Sequence, residues 1–133
     1  MRRVIGVDPG SRKTGYGIIE ISVSKIDYVT SGHISVDDEV FPKRLGIIYS
    51  EVLELATNYD VQEMAIEDVF LAKNPNSALK LGQARGVAIA AGIAKDLEIF
   101  EYAARQVKKT IVGKGSASKT QIQHMVRVLL NLP

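Results

Sequence analysis

Two acidic residues stand out because of where the chain places them. Asp8 closes the apolar run Arg3-Val4-Ile5-Gly6-Val7-Asp8, and Glu67 closes the shorter run Glu63-Met64-Ala65-Ile66-Glu67. Each run reads as a buried strand, and each acid falls at its C-terminal end, where an open sheet presents groups to a ligand. If the first strand is central and the later one pairs beside it, the two carboxylates face each other. Like charges at that range repel, so a hard divalent cation between them is the natural partner. Two such cations can activate water and stabilise the leaving oxygen of a phosphodiester. The competing reading is that the two acids only cap nearby backbone amides.

Other constellations are weaker. The loop Asp8-Pro9-Gly10-Ser11-Arg12-Lys13-Thr14-Gly15 has the glycine and hydroxyl content with which actin-like ATPases hold phosphate. Those proteins need a second such hairpin and an adenosine-binding segment, and this chain has neither. Gly113-Lys114-Gly115-Ser116 is no Walker A loop, because its glycines fall at the wrong spacing and Gly follows the lysine. His33 and His124 have no partner at metal-ligand spacing and read as surface or capping residues. Phe70, in the loop after Glu67 and close to Lys73, could stack on an unpaired base. It could equally pack beneath the helix that follows. From Arg105 to Arg127 the chain carries Lys108, Lys109, Lys114 and Lys119 and no acid, a candidate phosphate-facing surface or a solvated basic face.

The elements that must position these residues follow from periodicity. Arg3–Asp8, Tyr16–Ile21 and Ile26–Ile34 read as three strands of an antiparallel meander. Between Pro42 and Tyr59, Leu45, Ile48, Val52 and Leu55 form the apolar stripe of an amphipathic helix. After the strand at Glu63–Glu67, Asn74 and Pro75 suit the cap and first position of a long helix reaching about Asp96. Ile99–Tyr102 is a last short strand, and Ser118-Lys119-Thr120-Gln121 fits a capping box that launches a further helix. The long helix carries Gly82, Gly86, Ala90 and Ala94 at intervals of four. Such a ridge of small residues permits close approach of a backbone, either the chain's own sheet or the same helix of a second subunit. The order predicts an α/β fold of RNase H-like type: a mixed five-stranded sheet, three strands antiparallel and then parallel, flanked by helices.

Composition bounds the rest. The chain has 133 residues, 46% hydrophobic and 24% charged, with a net charge of +2. That length suits one domain with a real core, assigned here to residues 1–133. Without cysteine there is no disulfide or thiolate metal site. The small-apolar run Gly86–Ala94 is far short of the roughly 20 residues needed to cross a bilayer. Asp8 interrupts what would otherwise resemble a signal peptide after Arg2 and Arg3, and the expected location is cytoplasmic.

The motifs together resemble a known family. Gly6-Val7-Asp8-Pro9-Gly10-Ser11-Arg12-Lys13-Thr14-Gly15-Tyr16-Gly17 is similar to the opening of the RuvC family of Holliday junction resolvases. So are Ala65-Ile66-Glu67-Asp68-Val69-Phe70-Leu71-Ala72-Lys73-Asn74, the helix text from Ser77 to Gly86, the stretch Glu101–Lys108, and Gln123-His124-Met125-Val126. The resemblance implies a homodimer whose two active sites nick opposite strands of a four-way DNA junction. It implies magnesium-dependent hydrolysis with two Mg2+ ions per complete site, and work alongside a junction-binding protein and a branch-migration motor in recombination and repair. Asp8 and Glu67 fall on the family's first two metal-binding carboxylates, and Phe70 on its base-contacting aromatic. Lys108 and Lys119 fall on basic positions near the scissile phosphate. With Arg12, Lys73, Arg105 and Lys114 they make up the expected DNA-binding set, and Gly82, Gly86 and Ala90 the candidate dimer interface.

Two departures accompany the resemblance. Asp68 stands where a neutral Gln is expected. The family also continues past Leu132-Pro133 into a helix bearing two further aspartates, so the chain is expected to be truncated and inactive by itself. Taken as complete, it would instead be a junction-binding protein without hydrolytic activity.

Overall fold

The computed structural model of the protein describes residues 1–10, 12–23, 25–36, 40–67 and 74–102, with the backbone alone for Glu67 and Tyr102. The alternation of buried and open positions in the first third of the chain builds three strands, β1 (Arg2–Asp8), β2 (Lys13–Ile21) and β3 (Ile26–Ser35). The rest of the described chain gives α1 (Phe41–Asn58), β4 (Glu63–Glu67), α2 (Pro75–Ala94) and β5 (Glu98–Tyr102). The five strands form one sheet in the order β3-β2-β1-β4-β5. β2 pairs antiparallel with β1 and β3, whereas β4 pairs parallel with β1 and β5. This is the expected mixed sheet, with β1 at its centre.

The differences from the expected elements have local causes. β2 begins at Lys13 rather than Tyr16, because Thr14 and Gly15 are already in the ladder opposite Ile34 and Asp8. On α1 the fully buried stripe is Ile48, Val52 and Ala56, with Leu45 and Leu55 only half-buried at its borders. α2 starts as expected: Pro75 lies in its first turn, and the Asn74 side chain accepts from the Asn76 amide at 2.9 Å. Its inner face, however, is Ala84, Ala88, Ala91 and Gly92, so Gly82, Gly86, Ala90 and Ala94 point outward.

The core lies between one face of the sheet and the two helices. Ile5 and Val7 of β1, Ile18 of β2, Ile34 of β3 and Met64 and Ile66 of β4 meet Ile48, Val52, Ala84, Ala88 and Ala91 there. Small residues on α2 let it settle close to the sheet. A Cβ at Gly92 would lie 2.8 Å from Ile99 Cδ1 and 3.0 Å from Met64 Cε. At the other end of the helix pair, the Lys80 ammonium sits 5.6 Å from the centre of the Phe41 ring, joining α2 to the first turn of α1.

Both helices end by the same device. Asp60 and Asp96 adopt left-handed backbone with φ of 51° and 60°. Asp60 donates its amide to Thr57 O and Val61 to Ala56 O, and Asp96 and Leu97 donate likewise to Ile93 O and Gly92 O. This is the Schellman arrangement, with the apolar residue that follows the turn, Val61 or Leu97, folded back into the core. Neither turn is marked by the usual glycine, which is why periodicity alone places these ends loosely. An L-residue in this conformation carries a cost that glycine avoids. Asp96→Gly should therefore raise stability by up to about 1 kcal/mol, read as a higher denaturant midpoint at unchanged slope; a lower midpoint would show that the aspartate side chain contributes to the turn.

Candidate functional site

Register, not sequence proximity, builds the site. The parallel pairing of β1 with β4 runs from Val4–Glu63 to Val7–Ile66. Asp8 and Glu67 are each the next residue, so their backbones end side by side on strands about 4.8 Å apart. Glu67 in turn is in register with Tyr102 of β5, and Asp8 with Gly15 of β2, which is opposite His33 of β3. A single row across the sheet therefore holds His33, Gly15 and Asp8, continued by Glu67 and Tyr102. Because Ile5 and Val7 face the helices, strand alternation turns Asp8 to the opposite face of the sheet, where it is half-exposed. His33 lies exposed at the edge of the sheet, in keeping with its reading as a surface residue.

The donor chemistry fits a hard divalent cation, since both groups supply carboxylate oxygens. Among the described residues no set of three or more His, Cys, Asp or Glu side chains gathers to hold a metal.

The turn between β1 and β2 is tightly built. Thr14 is fully buried, and among the described residues it alone combines a polar side chain with complete burial. Its hydroxyl donates to Gly10 O at 3.2 Å and accepts from the Gly10 amide at 3.4 Å. A Cβ at Gly10 would lie 2.2 Å from Lys13 O, so a side chain there requires the backbone to move. The Arg12 carbonyl accepts from the Val36 amide at 3.0 Å, tying this turn to the end of β3, while the Arg12 side chain is exposed. The threonine hydroxyl thus serves the turn itself and is not presented outward as a phosphate ligand, contrary to an ATPase reading of this loop. Sequence reasoning passed over Thr14. The available signal was a β-branched hydroxyl residue four positions after a glycine that follows a strand end.

Near the helix side of the same hairpin, Tyr16 lies across Gly32 of β3, where an added Cβ would stand 2.8 Å from its hydroxyl. Burial pushes the Tyr16 phenol up from its ordinary value, and Tyr59, Glu51 and Tyr28 add to the shift. The phenol is neutral at physiological pH and acts as packing.

Of the other expected site residues, Phe70, Lys73, Arg105, Lys108, Lys114 and Lys119 lie outside the described residues, as do Asp68 and the capping-box segment at Ser118. Gly82, Gly86 and Ala90 share an exposed face of α2, where nothing lies within 4 Å of a Cβ built at either glycine. The chain's own sheet is therefore excluded as the partner of that ridge. No helix among the described residues is long and apolar enough to cross a membrane.

Comparison with known proteins decides what this geometry belongs to. The family model for crossover junction endodeoxyribonuclease RuvC matches residues 4–133. The chain belongs to the RuvC family. Its relatives include the crossover junction endodeoxyribonuclease of Dichelobacter nodosus, 55% identical over 97% of this chain and 73% of that protein. The counterpart in Pectobacterium atrosepticum is 58% identical over 99% of this chain and 78% of its own length. In three dimensions the fold is similar to Thermus thermophilus RuvC solved in complex with Holliday junction substrate, with a TM-score of 0.77 and 26% identity. That match covers 99% of this chain and 80% of the solved one. The sheet is thus the RNase H-like sheet of the resolvases, and the family to which the chain belongs is one of crossover junction endodeoxyribonucleases.

Proposed function

We propose that the protein resolves four-way DNA junctions by metal-dependent phosphodiester hydrolysis, with Asp8 and Glu67 as metal-holding residues. The observation that carries this reading is the β1–β4 register, which brings two strand-end acids from distant sequence to adjacent positions. When bound, a pair of Mg2+ ions would polarise the scissile phosphate and generate the attacking hydroxide. The chain's own part is to fix carboxylate oxygens at the ends of rigid strands and to hold the sugar–phosphate backbone with basic side chains. Arg12 is exposed on the turn that follows Asp8, suitably placed for such a role. Lys73, Arg105, Lys108, Lys114 and Lys119 are proposed to extend it, with Phe70 stacking on a base at the opened junction centre.

Two carboxylates supply a charge of about −2 against about +4 for two ions, so further anionic ligands are required. Residues 103–133 contain neither Asp nor Glu. We therefore propose that the two-ion centre draws on anionic groups in addition to Asp8 and Glu67.

The same reading includes a homodimer. Gly82 and Gly86 each cost an exposed helix about 1 kcal/mol relative to Ala, and no packing within the described chain repays that cost. Leu79 and Ile93 are exposed on α2 as well, at 66% and 58%. A second copy of the helix across a two-fold axis would cover these positions and set two active sites on one junction. Work with a junction-binding protein and a branch-migration motor, in the cytoplasm where the DNA is, completes the proposal.

Three measurements test it. Asp8→Asn in the cleavage-competent full chain keeps the shape but removes a charge, and junction cleavage should fall at least ~100-fold while junction binding persists; parental cleavage by this variant would remove Asp8 from the site. Lys108→Ala or Lys119→Ala should flatten the salt dependence of junction binding by about one log–log unit for each phosphate interaction removed. Unchanged slopes in both would leave these lysines on a solvated face. Gly86→Leu should yield monomers in sedimentation, and a folded dimer of that variant would place the interface elsewhere.

A further inference from the structure

The turn after Asp8 contains a polar group that the cleavage reading leaves unused. Thr14 is buried to 0% exposure, and its hydroxyl spans the turn by holding both the amide and the carbonyl of Gly10. Burying a hydroxyl stabilises a fold only if its hydrogen bonds are made, and valine would fill the same volume without that demand. The choice of threonine therefore calls for a local purpose, and its partners say what is being held.

Gly10 is two residues beyond Asp8, and Thr14 immediately precedes Gly15, the residue in register with Asp8. The hydroxyl thus closes a small loop whose two ends flank the acid. Gly10 can take part only because it lacks a Cβ, which would strike Lys13 O. The carbonyl of Arg12, in the middle of the loop, is fastened to β3 through the Val36 amide. The described part of the loop is thus held at Gly10 by Thr14 and at Arg12 by β3.

We propose that Thr14 is a positioning residue for the reaction: its hydroxyl pins Gly10 so that the Asp8 carboxylate is held in the orientation a divalent cation needs. This rests on the reading of Asp8 as a metal-holding group. Groups that orient a metal ligand without touching the ion typically change metal affinity or activity about 10–100-fold when removed. The threonine acts on the ligand through backbone, so the effect falls at the lower end of that range.

The experiment compares Thr14→Val, Thr14→Ser and Asp8→Asn in the cleavage-competent full chain. Three quantities are read: thermal stability, binding of Mn2+ alone by spin-probe titration, and the Mg2+ concentration giving half-maximal junction cleavage. Thr14→Val should lower the melting temperature only slightly, because water can reach the half-buried Gly10 groups, yet weaken Mn2+ binding and raise the Mg2+ requirement about 10-fold. Junction affinity measured without a divalent cation should stay within about twofold, and Thr14→Ser should restore the parental metal dependence. The idea is overturned by a Thr14→Val protein with parental Mn2+ binding and Mg2+ requirement. It is equally overturned if the metal defect merely tracks a fall in melting temperature, or if Thr14→Ser restores nothing. A dead Asp8→Asn beside a normal Thr14→Val removes only the positioning role. Parental cleavage by Asp8→Asn removes the site reading and this role together.

Discussion

The parallel pairing of β1 with β4 is the constraint on which the rest of the structure depends. Strands paired in parallel cannot be joined by a tight turn, so the chain must travel back to the starting end before β4 can begin. β2, β3 and α1 make that journey, and the cost in loop-closure entropy is recovered by the core they enclose. Two residues 59 positions apart, Val7 and Ile66, thereby become neighbours, and the acids that follow them gain a common location. A slip of one residue in this pairing would turn Met64 and Ile66 of β4 away from the core. Much of the polar architecture at the far end of the sheet opposes such a slip. Gln62 exchanges hydrogen bonds with the backbone of Arg3, and its carbonyl accepts from Glu98, so β1, β4 and β5 are keyed to one another before their first paired residues.

Spacing alone did not say which face of α2 is inside. Its sequence offers small residues all round, so no strong apolar stripe announces which side is inside. The structure assigns Ala84, Ala88, Ala91 and Gly92 to the core and leaves Gly82, Gly86 and Ala90 outside. An intervening alanine and an exposed glycine look alike as text. Only the depth demanded by Met64 and Ile99, which leave no room for a Cβ at residue 92, distinguishes them.

Fold type and the leading acids were legible because they depend on local pattern. The apolar runs ending at Asp8 and Glu67 have the period and length that a strand requires, and Asn74-Pro75 announces its helix through capping chemistry that needs no tertiary context. What escaped was set by contacts across the sheet. The early start of β2 depends on partners in β1 and β3, and the role of Thr14 depends on the chain folding back onto Gly10. The helix ends at Asp60 and Asp96 were blurred because aspartate replaces glycine where the backbone turns left-handed. Charge distribution singled out the basic stretch from Arg105 without saying whether it meets phosphate, and neither spacing nor charge told a stacking phenylalanine from a packing one; the DNA readings rest on family resemblance.

The end of the sheet remote from Asp8 has a bearing on how a polyanion would arrive. Its arginines are already engaged: Arg2 with Glu63 at 2.8 Å, and Arg3 with Glu20 at 3.1 Å and with the Tyr59 carbonyl at 2.7 Å. Among the described residues, Asp27, Asp60, Asp96 and Glu98 stand around them, with Lys25, Lys95 and the N-terminal ammonium as the other bases. The salt bridges that lock strand register thus also withdraw positive charge from the wrong end of the molecule. Among the described residues, a polyanion therefore meets no surplus of unpaired arginine at this pole.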